Sequence, residues 1–149
     1  WRFTRDRRQL EELVSDVFVE AYTSLSKFRG EGEFSHWLSV IVTRVGYRFW
    51  KRRDKRRMEM PLESWDAPRP PEPDPLEASE AAEHLHALLD QLPPRDRLVL
   101  TLMYWDDMSV EQTAKETGWS KSMVKVQAHR ARKKLRDLLE KSSKTIDNT

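Results

Sequence analysis

The sequence predicts an all-α protein built as two small helical domains joined by an acidic, proline-rich linker. Three observations predict it. Apolar residues recur at helical spacing in several separate blocks, and no stretch alternates as a half-buried strand would. Six prolines fall within the sixteen residues from Met60 to Pro75, which no helix survives. Of 149 residues, 38% are hydrophobic and 35% charged, with a mean hydropathy of −0.81. So little apolar surface per residue favours small helical units over one large core.

The first domain is assigned to residues 1–58. Its clearest helix carries Leu10, Leu13, Val14, Val17, Phe18, Ala21, Tyr22 and Leu25 at helical spacing. "KFRGEGEF", Lys27 to Phe34, breaks that helix with two glycines in three positions. Ser35 suits the cap of a second helix, which would bury Trp37, Leu38, Ile41, Val42, Val45 and Phe49. That helix is expected to run out in "KRRDKRR", Lys51 to Arg57. Residues 59–78 form the linker, kept solvated by acids and extended by prolines. The second domain is assigned to residues 79–142. Leu85, Leu88, Leu89 and Leu92 form a helix that stops at Pro93-Pro94. Proline is welcome in the first turn of the next helix, which would bury Leu98, Val99, Leu102 and Trp105. The tail, residues 143–149, is expected to fray.

The most informative stretch is "SVEQTAKETGWSKSMVKVQAHRARKKL", Ser109 to Leu135. Ser109 and Gln112 have capping-box spacing, so a short helix begins at Val110. Gly118 suits the left-handed turn that closes it, and Ser120 caps the helix that follows. Ala114, Gly118 and Val124 have the spacing of a helix-turn-helix. The small Ala114 lets the two helices approach, Gly118 makes the sharp turn and Val124 plugs the angle between them. On the second helix Val124, Ala128, Ala131 and Leu135 share one face and read as core. Ser122, Val126, His129 and Lys133 fall opposite, flanked by Lys125 and Arg130. Lysine and arginine can donate to guanine edges, and Val126 can touch a thymine methyl. Lys121, Arg132, Lys134 and Arg136 suit phosphate contacts, which position without specifying. Two packed helices with a solvated charged rim would give a similar pattern. Seven basic residues and no acid between Ser120 and Arg136 favour DNA.

Net charge is only +2, but its distribution is uneven. Eight basic residues and one acid lie between Arg44 and Arg57, and eight acids with one arginine between Glu59 and Glu83. Two basic blocks around an acidic one suggest two patches for a polyanion. There is no cysteine, which excludes disulfides, thiol catalysis and thiolate metal sites. No apolar run reaches membrane-spanning length and no signal-peptide pattern is present, so membrane insertion is not expected and a cytoplasmic protein is. His84 and His86 stand two apart, so they cannot form the common i, i+4 metal pair. No nucleophile elbow, phosphate-cradling glycine loop or carboxylate–histidine cluster is present. No catalytic group, metal or cofactor is expected.

"ELVSDVFVEAYTSLSKFRGEGEFSHWLSVIVTRV" resembles the second conserved region of bacterial sigma factors, and "LLDQLPPRDRLVLTLMYWDDMSVEQTAKETGWSKSMVKVQAHRARKKL" resembles their fourth. Two such regions on one short chain, without the third, resemble the extracytoplasmic-function class, group IV. The resemblance implies that the chain binds core RNA polymerase and directs it to promoter DNA. It implies polymerase docking by the first helix, here through Glu12, Asp16 and Glu20. It implies capture of the melted minus-ten strand by Phe28, Arg29 and Gly30 in the glycine loop and by Arg44, Tyr47, Arg48 and Arg52 on the next helix, where cations and aromatic faces hold unstacked bases. It implies reading of the minus-thirty-five element by Lys121, Ser122, Lys125, Val126, His129, Arg130 and Lys133. Many relatives carry "VKSRLHRAR" where this chain has "VKVQAHRAR", Val124 to Arg132, so an unusual element is expected. The family implies an anti-sigma factor as a further partner. It also places another helix before the first one here, where only "WRFTRDRRQ" precedes Leu10. The first domain therefore reads as truncated, with part of the Leu13/Val17/Phe18 face open.

The alternative reading is a stand-alone helix-turn-helix regulator that binds duplex DNA without polymerase. It requires a ligand or dimerisation domain, which the first sixty residues do not resemble. A protein-interaction module gripping an acidic partner is the third reading.

Overall fold

A computed structural model describes residues 2–59 and 80–147. Every regular element among them is helical. The chain divides into two compact units, Trp1–Glu72 and Pro73–Thr149. The stretch assigned to the linker lies outside the described residues except for Glu59, the last residue of a helix.

Unit one is a helical hairpin. Helix α1 is Arg7–Ser24, followed by a tight 3₁₀ turn at Leu25–Lys27, and helix α2 is Phe34–Glu59. Asp6 caps α1, its Oδ1 accepting the Gln9 backbone N–H at 2.9 Å. α2 begins one residue before the serine expected to cap it. The Trp37 amide donates to the Glu33 carbonyl at 3.1 Å, so Ser35 lies inside the first turn. α2 also runs two residues beyond the basic cluster, which contains no glycine or proline to stop it.

The core of unit one is narrower than the apolar pattern suggests. Leu13 is buried and Val17 half-buried, yet Phe18 is 71% and Tyr22 82% exposed, with Val14 and Leu25 also exposed. α1 uses one edge of its apolar arc against α2 and leaves a Val14/Phe18/Tyr22/Leu25 stripe open. Phe49, expected in the core, is only half-buried, while its neighbour Trp50 is 1% exposed. Trp50 is sealed by the segment before α1. Its ring lies 4.9 Å from that of Phe3, and its Nε1–H donates to the Phe3 carbonyl at 2.8 Å. Arg2 reaches the Thr43 hydroxyl at 3.2 Å, and the Thr4 hydroxyl donates to Gln9 at 2.7 Å. Gly46 makes this strap possible, because a Cβ there would stand 2.2 Å from the Phe3 ring.

Unit two packs α3 (Glu80–Asp90), α4 (Pro94–Leu100), α5 (Val110–Thr117) and α6 (Lys121–Asp147). Leu89, Leu92, Val99, Leu100, Val124, Ala128 and Ala131 form its centre, with Met103, Val110, Ala114, Trp119, Leu135 and Leu138 against them. Pro94 occupies the first turn of α4, where its missing N–H costs nothing. α4 then widens over Thr101–Trp105, where the Asp106 amide donates five residues back to the Thr101 carbonyl. The wider turn rotates Trp105 off the line of Leu98 and Leu102. Trp105, expected in the core, is therefore 45% exposed and meets the buried His86 edge-on at 5.1 Å. α6 remains helical to Asp147, and residues 148–149 of the tail lie outside the described residues.

Gly46→Ala should push Phe3 from its seat and destabilise unit one by about 1–3 kcal/mol. Combined with Phe3→Ala, it should cost far less than the sum of the two single changes. Denaturant unfolding followed by tryptophan fluorescence checks this, and simple additivity would show that the strap and Gly46 do not touch.

Candidate nucleic-acid interface

The helix-turn-helix is fixed by local chemistry. Ser109 Oγ accepts the Gln112 amide at 3.2 Å, and Gln112 Oε1 accepts the Ser109 amide at 2.8 Å, which closes the capping box. Gly118 adopts φ 74° and ψ 12°, and its amide donates to the Ala114 carbonyl at 2.9 Å. The Thr117 hydroxyl donates to the Thr113 carbonyl and accepts from the Trp119 amide, holding the turn from both sides. Ser120 Oγ accepts the Met123 amide at 3.1 Å and starts α6. Val124, Ala128 and Ala131 are then fully or almost fully buried.

The opposite side of α6 is open. Ser122, Lys125, Val126, His129, Arg130 and Lys133 are all exposed, Val126 at 50%. Lys125, Arg130 and Lys133 make no ion pair among the described residues. The rest of the basic cluster is not equally available. Lys121 Nζ pairs with Glu111 of α5 at 3.3 Å. The Glu111 carboxyl is held below its ordinary range, first by its backbone hydrogen bond and then by Lys121. Arg132 donates to the Tyr104 hydroxyl at 2.8 Å. Lys134 Nζ pairs at 2.5 Å with the Asp96 carboxylate, which is 1% exposed, and Gln127 Nε2 donates to that same carboxylate at 2.6 Å. Sequence reasoning placed Lys134 on phosphate and left Gln127 as a departure from relatives. The missed signal was an acid in the first turn of α4.

In unit one the glycine loop places Phe28, Phe34 and Trp37 in one aromatic cluster, with ring centres 5.3–5.6 Å apart. Gly30 holds φ 71°. Arg29 is exposed beside it, and Phe34 is 51% exposed. On α2, Arg44, Tyr47, Arg48 and Arg52 follow helical spacing on one side, and Lys51 Nζ lies 5.6 Å from the Tyr47 ring centre.

That side of α2 meets the acids of α1. Glu20 pairs with Arg44 at 3.7 Å and also with Arg48, while Asp16 pairs with Arg52 at 3.6 Å. The rising numbers on α2 meet falling numbers on α1, so the two helices run antiparallel. Glu12 lies farther along α1 and pairs with Arg8 at 3.6 Å. Two of the three acids assigned to polymerase thus pair, along one seam, with three of the arginines assigned to the melted strand. The periodicity of each helix shows its own stripe but not that the two stripes face each other.

The two units have counterparts among known proteins. The sigma-70 region 2 family matches residues 1–56, and the sigma-70 region 4 family matches residues 82–135. The chain is 30% identical to the RNA polymerase sigma factor YlaC of Bacillus subtilis, over 95% of this chain and 84% of that protein. It is 30% identical to the ECF RNA polymerase sigma factor SigE of Mycolicibacterium smegmatis, over 96% of this chain but only 56% of that longer protein. Among solved structures, the fold matches the sigma factor RpoE of Bartonella quintana, crystallised with the anti-sigma factor NepR. The TM-score is 0.68 at 19% identity, over 93% of this chain and 86% of that one. The chain belongs to the sigma-70 family of RNA polymerase sigma factors, in its extracytoplasmic-function class.

A double-mutant cycle between Glu20→Gln and Arg48→Ala should give a coupling of at most about 1 kcal/mol, because Arg48 is about half exposed and solvent screens the pair. The coupling should shrink in molar salt. A larger, salt-insensitive coupling would mean that the seam is a structural element of the hairpin.

Proposed function

We propose that the chain is a non-catalytic promoter-specificity subunit that joins core RNA polymerase in the cytoplasm and directs initiation. The single observation that carries this reading is the outer side of α6. It is the second helix of a closed helix-turn-helix, and its exposed residues include three cations without ion pairs among the described residues and a half-exposed valine. A buried inner side and an exposed hydrogen-bonding outer side are what a helix needs to enter a major groove.

On this reading Lys125 and Arg130 donate to guanine edges and Val126 meets a thymine methyl. Ser122 and His129 contribute further hydrogen bonds. Lys121 and Lys133 lie towards the backbones, with Arg132 and Arg136 on phosphates. Unit one serves the melted minus-ten strand. Phe28 offers a face for stacking, Arg29 and Gly30 shape the loop around it, and Tyr47 with Arg44, Arg48 and Arg52 holds the sugar–phosphate path. Unstacking a base costs a few kcal/mol, which capture by these groups offsets. Neutralised phosphates supply much of the affinity, and base contacts supply discrimination.

The seam between α1 and α2 gives the docking reading a specific form. All three acids pair with arginines, Glu12 with Arg8 and Asp16 with Arg52 at 3.6 Å each, but Glu12 is the most exposed at 66%, against 57% for Asp16 and 23% for Glu20. Glu12 is thus the acid of the three most available to a basic partner helix. The sigma factor CnrH, solved with the cytosolic domain of CnrY, matches this fold at a TM-score of 0.63 and 24% identity. An anti-sigma partner for this chain follows from membership of that class.

Run-off transcription with purified core polymerase and this protein, with start sites read by sequencing, tests the function. Specific start sites are expected, and transcription indistinguishable from core polymerase alone would end the proposal. Lys125→Ala with Arg130→Ala should remove roughly 2 kcal/mol or more of discrimination between the mapped upstream element and a scrambled one, with polymerase binding unchanged. Unaltered selectivity in that variant would take α6 out of the readout. Glu12→Arg should slow association with core polymerase, an effect that fades with salt. An unchanged on-rate would place docking elsewhere.

A further inference from the structure

We propose that Asp96 is the positioning residue of the recognition helix. Its buried carboxylate braces Gln127 and Lys134, and so sets the rotation at which α6 presents Lys125, Val126, His129 and Arg130. The inference rests on α6 being the duplex reader. It gives a role in promoter discrimination to a residue that no DNA can reach.

The need for a brace comes from what α6 buries. Its fully buried residues are Val124, Ala128 and Ala131, two of them alanines, while Leu135 and Leu138 are only partly buried farther along the helix. Apolar contact is non-directional, and short methyl groups offer little to resist a roll of the helix on its bed. Hydrogen bonds are directional and fail over a few tenths of an ångström. One carboxylate supplies two of them. Asp96 Oδ1 accepts from Gln127 Nε2 at 2.6 Å, and Oδ2 accepts from Lys134 Nζ at 2.5 Å.

The placement of the two donors matters. They stand seven residues apart, about two turns or roughly 10 Å along the axis, and within about 20° of each other around it. Both lie on the border between the core side and the reading side. Two long side chains converge from different heights on one point of α4, so sliding or rolling α6 stretches at least one of them. A roll of about 10° moves the helix surface by roughly 1 Å, enough to break a base-edge hydrogen bond. Arg130 follows Gln127 by three residues, on the reading side of that border, and moves with the helix.

The anchor itself is rigid. Asp96 is 1% exposed in the first turn of α4, where Pro94 fixes the backbone and the positive end of the helix favours a carboxylate. A buried carboxylate needs a cation, and Lys134, whose side chain is 51% exposed, supplies it. The brace therefore withdraws Lys134 from phosphate binding.

The test uses the full chain assembled with core polymerase, on the strongest promoter mapped by run-off sequencing and on the same fragment with its upstream element scrambled. Gln127→Leu should lower the ratio of binding to the two fragments about tenfold, at a temperature where thermal unfolding shows the variant folded. Gln127→Arg, which keeps a donor to Asp96, should hold the ratio within about twofold of wild type. Lys134→Met should leave the log–log salt slope unchanged, whereas Lys133→Met should reduce it by roughly one. A folded Gln127→Leu variant with wild-type discrimination, or a Lys134→Met slope that falls like that of Lys133→Met, would overturn the proposal. If wild type itself did not discriminate between the fragments, the reading of α6 and this inference would fall together. Discrimination in wild type that Gln127→Leu leaves intact removes the inference alone.

Discussion

The left-handed turn at Gly118 constrains everything that unit two presents outward. A side chain at φ 74° would be strained, and without that turn α6 could not double back across α5. Once it does, the small Ala114 and the buried Val124 fill the angle between the helices, and α6 has only one way round. Its alanines go inward and its cations outward. The turn is held by local bonds: the Ser109–Gln112 box, the Thr117 hydroxyl and the Ser120 cap. Local closure makes the motif stiff over a short span of chain. Stiffness is what a reading helix needs, because base-edge contacts tolerate little misplacement.

Unit one works under a different constraint, that of charge. α1 carries acids and α2 carries arginines, and the hairpin brings them together at Glu20, Asp16, Arg44, Arg48 and Arg52. Exposed pairs of this kind hold the helices only weakly. A weak pair is also one that a phosphate or a basic partner helix can displace. In the proposed function, the carboxylates on Arg44 and Arg48 occupy the place that a nucleic-acid backbone would take. The seam stabilises the free hairpin modestly while keeping both stripes exchangeable.

The sequence reading and the structure part at identifiable places. Trp105 was assigned to the core from its spacing after Leu98 and Leu102. The π turn at Thr101–Trp105 changes the residues per turn, so spacing beyond it no longer reports a face. Phe18 and Tyr22 fit an apolar arc, yet α1 has one neighbouring helix among the described residues, and one neighbour covers only part of an arc. No part in the core was assigned to the segment before α1. Its Phe3 instead seals Trp50, made possible by a glycine in the middle of α2 that no propensity argument would place there.

The order of the helices, the helix-turn-helix with its caps and the inner and outer sides of α6 were determined by the sequence alone, because they depend on residues within about one helical turn of each other. The engagement of particular charges was decided only in three dimensions. Glu20 meets Arg48 across 28 positions, and Asp96 meets Lys134 across 38. A carboxylate's partner is whatever the packed chain brings within about 3 Å, and periodicity within one helix carries no information about the face of another.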